Sequence, residues 1–334
     1  MSLTSFIDRD EVADVLARHF PAPRGTPGVP IQQRWQSSNY SLVGTAFDYL
    51  LRFWLARTIS TVHTRSGWVA ETGLMMLSAG PFEDEELVDN AGEVIEEAQR
   101  KRDAYVEGDD LEDRLIELTL DLSRLDWVYR HGSKPTDLGE YDQRDIVDLR
   151  RLVELLDRKQ QFQGDEVYLN PTFGAASSLV GGADADVLLD RALIDVKVTK
   201  SEKLKRSWWL QLVGYAILID IYRTLNRQRG GVDEETETES LPQIETLGVY
   251  FARHGELWTT PASQVYDYSN YEAVRAWFVN EALSRRDPLD SADTLREAFC
   301  SPYEFDDVPQ RARSEEDAPA PSDDDQSTFG DFTG

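Results

Sequence analysis

The chain has one cysteine, Cys300, and four histidines in 334 residues. A single thiol cannot build a disulfide framework, a multi-cysteine zinc site or a four-cysteine iron–sulfur cluster. No run of eighteen apolar residues and no basic-then-apolar N-terminus occurs, so neither a membrane span nor a secretory leader is expected and the chain reads as a cytoplasmic protein. A G-x-x-x-x-G-K-[ST] phosphate loop is missing too, which removes P-loop motor activity from the candidates. Lysine is scarce, with seven in a chain of net charge −27. This acidity, rich in aspartate and with far more arginine than lysine, fits a high-salt cytoplasm and would ordinarily repel nucleic acid.

The distribution of charge changes that expectation. Lys197, Lys200, Lys203 and Lys205 fall within nine residues, and Arg206 follows with only Glu202 among them. Cations at a helix start oppose the helix dipole, so a phosphate partner explains the cluster better than a solvated helix end does. Lys200, Lys203, Lys205 and Arg206 are therefore candidate nucleic-acid contacts.

That strip begins at the segment that best specifies chemistry. Val187-Leu188-Leu189 and Ala192-Leu193-Ile194 flank Asp190-Arg191 and predict a tight antiparallel hairpin. Pairing Leu189 with Ala192 puts Asp186 opposite Asp195, and the period of two places Asp184 and Lys197 on the same face. Aspartate is a poor strand former, and facing acids repel unless a cation or proton lies between them. A divalent ion resolves the conflict, and an all-oxygen ligand set suits magnesium or manganese better than zinc. Either Asp184 or Asp186 serves as the main ligand, with Asp186 favoured because it faces Asp195. A charged surface hairpin is the plain alternative.

Two further segments carry helical spacing. Gln211 and Tyr215 share one face of a helix over about 203–223, with Trp208 beside them, and Asp48 and Arg52 are the polar exceptions in an apolar helix around 41–53. Together, Gly44 to Asp48, Gly181 to Asp184 (or Asp186), Asp195-Val196-Lys197, and Gln211 to Tyr215 resemble the ordered motifs of the PD-(D/E)XK nuclease superfamily, RecB-like branch. Aspartate replaces the histidine usual at position 48, and no proline precedes the hairpin acids. The resemblance covers about residues 37–60 and 166–260.

It implies an α/β fold, a restriction-endonuclease-like mixed central sheet flanked by helices, acting as a magnesium- or manganese-dependent nuclease, DNA favoured. Asp48, Asp186 (with Asp184 as the alternative), Asp195 and the Val196 carbonyl would hold metal. Lys197 would stabilise charge developing on phosphorus, while Gln211 and Tyr215 would position the backbone or brace the site. Core packing explains Tyr215 nearly as well. Protein partners in repair or defence would follow. The alternatives are a catalytically silent nucleic-acid-binding or adaptor protein, and a hydrolase of small phosphate esters with a closed pocket.

Residues 1–30 read as a short helix over 8–19 and a Pro/Gly linker, and residues 31–300 as the nuclease domain. Helical periodicity over 84–107, 111–130 and 144–158, with Leu115, Leu118, Leu122 and Leu125 as one stripe, predicts a helical insertion at about 84–160. The first core strand is expected at 166–169, a second hairpin at 246–252 and 256–260, and a closing helix at 271–285. Residues 230–240, with five acids and no base, predict a mobile loop, and 301–334 an acidic disordered tail.

Overall fold

The computed structural model of the chain describes residues 2–23, 28–64, 67–80, 84–135, 137–228, 241–266, 270–285 and 291–300. The acidic loop at 230–240 and the tail at 301–334 lie outside them. The architecture is α/β, built on a six-stranded mixed sheet in the order β1 (Thr61–Thr64), β2 (Glu166–Leu169), β3 (Val187–Leu189), β4 (Ala192–Lys197), β5 (Thr246–Phe251) and β6 (Glu256–Pro261). β1 runs parallel to β2 and β4 parallel to β5, while the remaining neighbours are antiparallel.

Helices cover both faces. In chain order they are α1 (Leu3–Ile7), α2 (Asp10–His19), α3 (Tyr40–Thr58), α4 (Val69–Ala79), α5 (Glu85–Glu107), α6 (Asp113–His131), α7 (Gln143–Lys159), α8 (Gly174–Leu179), α9 (Arg206–Gln228), α10 (Tyr271–Ser284) and α11 (Ala292–Leu295). Alternation along the strands sorts side chains between two cores. Leu188, Leu193, Leu247 and Val249 pack with α1, α2, α8, α9 and α10 on one face. Val187, Leu189, Ile194 and Tyr250 pack with α3 to α7 on the other. β3 is therefore apolar at every position, as a strand buried on both faces must be.

Several expectations change. The first strand is β1, ahead of 166–169, and its exposed edge position explains why it carries no apolar alternation. The helix expected over 8–19 is α2, and α1 precedes it as an additional short helix. α4 and α8 are additional, and α9 begins at Arg206, leaving Lys200, Lys203 and Lys205 in the preceding loop. Between β1 and β2, α6 packs against α3, α4 and α5. Gly73 permits its contact with α4, because a Cβ there would sit 2.2 Å from the Leu125 carbonyl oxygen. The Leu115, Leu118, Leu122 and Leu125 stripe is wholly buried.

Candidate active site

The hairpin pairs Leu189 with Ala192, Leu188 with Leu193 and Val187 with Ile194, so the apolar runs set the register from which Asp186 and Asp195 emerge. Asp190 takes a left-handed φ of 49° at the turn, and its Oδ1 accepts from the Asp165 and Glu166 N–H groups at 3.1 and 3.0 Å. That cap ties the turn to the start of β2. At the open end of the hairpin, Asp186 Oδ2 accepts the Val196 N–H at 2.7 Å.

Asp195 and Lys197 alternate with Val196 and face α9. The Lys197 Nζ donates to Asp195 Oδ1 at 2.9 Å, lies 2.8 Å from Oδ2, and donates to Gln211 Oε1 at 3.1 Å. Gln211 Nε2 in turn donates to the Tyr215 hydroxyl at 3.2 Å. The helical spacing of Gln211 and Tyr215 thus becomes a relay that fixes the lysine. The Tyr215 ring is buried in the core beneath this relay, as core packing expects.

α3 brings the third acid from the opposite face of the sheet. Asp48 Oδ2 accepts from Arg52 at 2.7 Å, one helical turn on, while Asp48 Oδ1 is buried with no hydrogen-bond partner. Asp48, Asp186, Val196 and Lys197 line one cavity of about 390 Å³, with Gly44 in its wall. α6 closes the far side with Asp126, Trp127, Arg130 and His131.

Burial, followed by the charges of Asp195 and Asp48, raises the Asp186 carboxyl well above the usual range. Burial also raises Asp195, against the opposing pull of Lys197. For Lys197, burial disfavours the ammonium, but Asp195 and Asp186 outweigh it and leave the pKa raised. The lysine therefore stays charged, which suits stabilisation of an anion and not proton abstraction at neutral pH. Three carboxylates, Asp48, Asp186 and Asp195, face two cations, Lys197 and Arg52; burial is the main cause of the raised acids, and only at Asp186 do neighbouring acids add to it.

As they stand, no three His, Cys, Asp or Glu side chains among the described residues form a group able to hold a metal. Each acid is turned toward a partner of its own: Arg52, the Val196 N–H or Lys197. The donor set still fits a hard cation, being all oxygen, with the orphaned Asp48 Oδ1 available and surplus negative charge to neutralise.

Not all the sequence candidates converge. Asp184 bridges to Thr172 ahead of β3, is exposed, and lines a separate cavity with Arg52. Of the cationic strip, Arg206 pairs with Asp14 at 2.7 Å. Lys200 lies 5.4 Å from the Tyr40 ring centre and Lys205 4.8 Å from that of Trp208. Lys203 is exposed in the same loop.

The sequence reading missed Asp126. Its Oδ1 accepts from the Tyr49 hydroxyl at 2.7 Å, and burial pushes its carboxyl up to about 6. An acid between Leu125 and Val128 in an otherwise buried stripe was the available signal. Neither a family model, nor a curated protein, nor a solved structure matches the chain.

Proposed function

We propose that this chain is a divalent-metal-dependent nuclease with a PD-(D/E)XK-type core, hydrolysing phosphodiester bonds in nucleic acid, DNA favoured. The observation that carries the reading is the Lys197 ammonium, held by Asp195 and Gln211 at the wall of a cavity it shares with Asp48 and Asp186. The mixed sheet flanked by helices supports it further.

Magnesium or manganese, held by Asp48, Asp186, Asp195 and the Val196 carbonyl, would supply Lewis acidity toward the phosphate and lower the pKa of water. The protein's own groups do the rest. Lys197 stabilises negative charge growing on the phosphoryl oxygens in a partly dehydrated pocket, where a fixed charge acts more strongly than in water. Gln211 and Tyr215 hold that ammonium in place, so little reorganisation accompanies reaction. Arg52 balances Asp48 in the resting site.

The test is incubation of the full chain and of Asp195→Asn with end-labelled single-stranded, double-stranded and circular DNA, with and without magnesium or manganese. Metal-dependent cleavage lost in the variant is the expected outcome. Cleavage by the variant at the wild-type rate under saturating metal overturns the site assignment. Binding without cleavage under every condition assigns the chain to the silent nucleic-acid-binding class instead.

A further inference from the structure

Five large apolar side chains are exposed among the described residues: Tyr40, Met75, Met76, Trp127 and Tyr129. Four of them surround the candidate site. Tyr40 and Trp127 line the cavity containing Asp186 and Lys197, and Met75 and Tyr129 line the neighbouring cavity of about 620 Å³. The Asp48–Arg52 pair joins the two, since Asp48 borders the first and Arg52 the second.

We infer that the second cavity receives an unpaired base, with Tyr40 and Trp127 as a stacking platform on the other side of Asp48–Arg52, so that the substrate is single-stranded. This rests on the nuclease reading and narrows its substrate. The cavity volume falls within the range of about 300–1,000 Å³ typical of small-molecule sites. Its wall combines an aromatic surface, Trp68 and Tyr129, with amide and guanidinium groups from Gln99, Arg102 and Arg52, which is the chemistry that holds a base face and its edge. The Arg102 guanidinium carbon lies 5.8 Å from the Trp68 ring centre.

On the other side, the Trp127 ring is stacked on His131 at 3.6 Å and 19°, and remains 47% exposed. Its orientation is set before any ligand arrives. The Tyr40 ring rests against Trp35 in a tilted contact, at 4.5 Å and 56°, with Lys200 nearby. An intact duplex keeps its base faces stacked on one another and cannot use these surfaces. A chain of charge −27 also gains little from phosphates alone, so base stacking supplies the affinity that survives salt.

The experiment measures binding of the full chain, in EDTA to prevent cleavage, to three fluorescein-labelled probes of equal length: oligothymidylate, a duplex, and an oligomer of abasic residues. Each is titrated at low and at high salt, with Trp127→Ala and Tyr129→Ala as variants and circular-dichroism melting as the check on folding. The expected result is oligothymidylate binding roughly tenfold tighter than either other probe, reduced about tenfold by each substitution, with abasic binding unmoved.

Equal affinity for oligothymidylate and the abasic oligomer overturns the inference and leaves the nuclease reading standing. Unchanged oligothymidylate binding in both variants does the same. No binding to any probe, in EDTA and again with calcium in place of the catalytic metal, takes the nuclease reading down with it.

Discussion

Two groups of buried charge in this fold have opposite character. Arg253 and Asp148 are wholly buried and meet in two hydrogen bonds of 2.8 and 2.7 Å, one cation against one anion. The guanidinium lies 3.2 Å from the Trp35 ring centre, and the Arg253 carbonyl accepts the Gln32 and Gln33 N–H groups at 2.9 Å each. That pair is balanced in charge, with only the Arg253 Nε left without a hydrogen-bond partner, and it fastens the 28–37 segment to the sheet. Around Asp48, Asp186 and Asp195 the count is three acids to two bases, the acids of the hairpin are raised by burial, and the group opens on a cavity. Matched charge belongs to the scaffold, whereas surplus negative charge beside open space is what the proposed metal ion would neutralise.

Mutation separates the two groups most clearly. Asp148→Ala leaves Arg253 buried without its anion and should cost about 3–5 kcal/mol in denaturant unfolding, with cleavage per folded molecule unchanged. Asp195→Asn should hold or raise the melting temperature at neutral pH while abolishing cleavage. Similar stability losses in the two variants would erase the distinction between scaffold and site. Next in size, Lys197→Met should lower turnover by roughly a hundredfold or more, as for loss of a transition-state charge stabiliser, with little change in substrate affinity. An affinity loss alone would make Lys197 a phosphate-binding residue.

What the sequence disclosed follows the range of the interactions. The hairpin register was legible because apolar runs on both sides of a two-residue turn admit one pairing. The Gln211–Tyr215 relay was legible because helical spacing fixes a face. β1 was not, since a short exposed edge strand has no pattern to read. α4 was obscured by Gly73, a poor helix former that its contact with Leu125 requires. Asp126 and the Arg253–Asp148 pair depend on helices meeting partners far along the chain, Tyr49 and Asp126 being 77 positions apart and Asp148 and Arg253 105. Asp184 shares a strand period with Asp186 yet diverges from it, because β3 begins only at Val187 and the bridge to Thr172 turns the chain away.

Asp126 makes the site's cost depend on pH. Its folded carboxyl is pushed up to about 6, chiefly by burial, against about 3.9 in an unfolded chain. Between those values the folded state holds the extra proton, so stability from this group is greatest below about pH 4 and falls as pH rises to 6. Asp126→Asn should therefore exceed wild type by on the order of 3 kcal/mol at pH 8, an advantage that disappears near pH 4. The asparagine carbonyl can still accept from Tyr49. A constant difference across pH, measured by urea unfolding, would show that the carboxyl's charge is not what the site carries as a cost.

The smallest expected effect concerns Gly44, which lies inside α3 and lines the carboxylate cavity. A glycine within a helix costs roughly 0.5–1 kcal/mol relative to alanine. Packing does not require it, because an added Cβ would meet nothing within 4 Å. Gly73, by contrast, is demanded by the Leu125 carbonyl. Gly44→Ala should then stabilise the protein by up to about 1 kcal/mol, while the new methyl group narrows the space beside Asp48 and weakens oligonucleotide binding and cleavage several-fold. Here too the site would carry a cost that the scaffold does not. A variant that gains stability with binding and cleavage intact would mean that substrate does not approach this turn of α3, moving its path toward α6 and leaving Asp186 and Lys197 as the cavity's reactive wall.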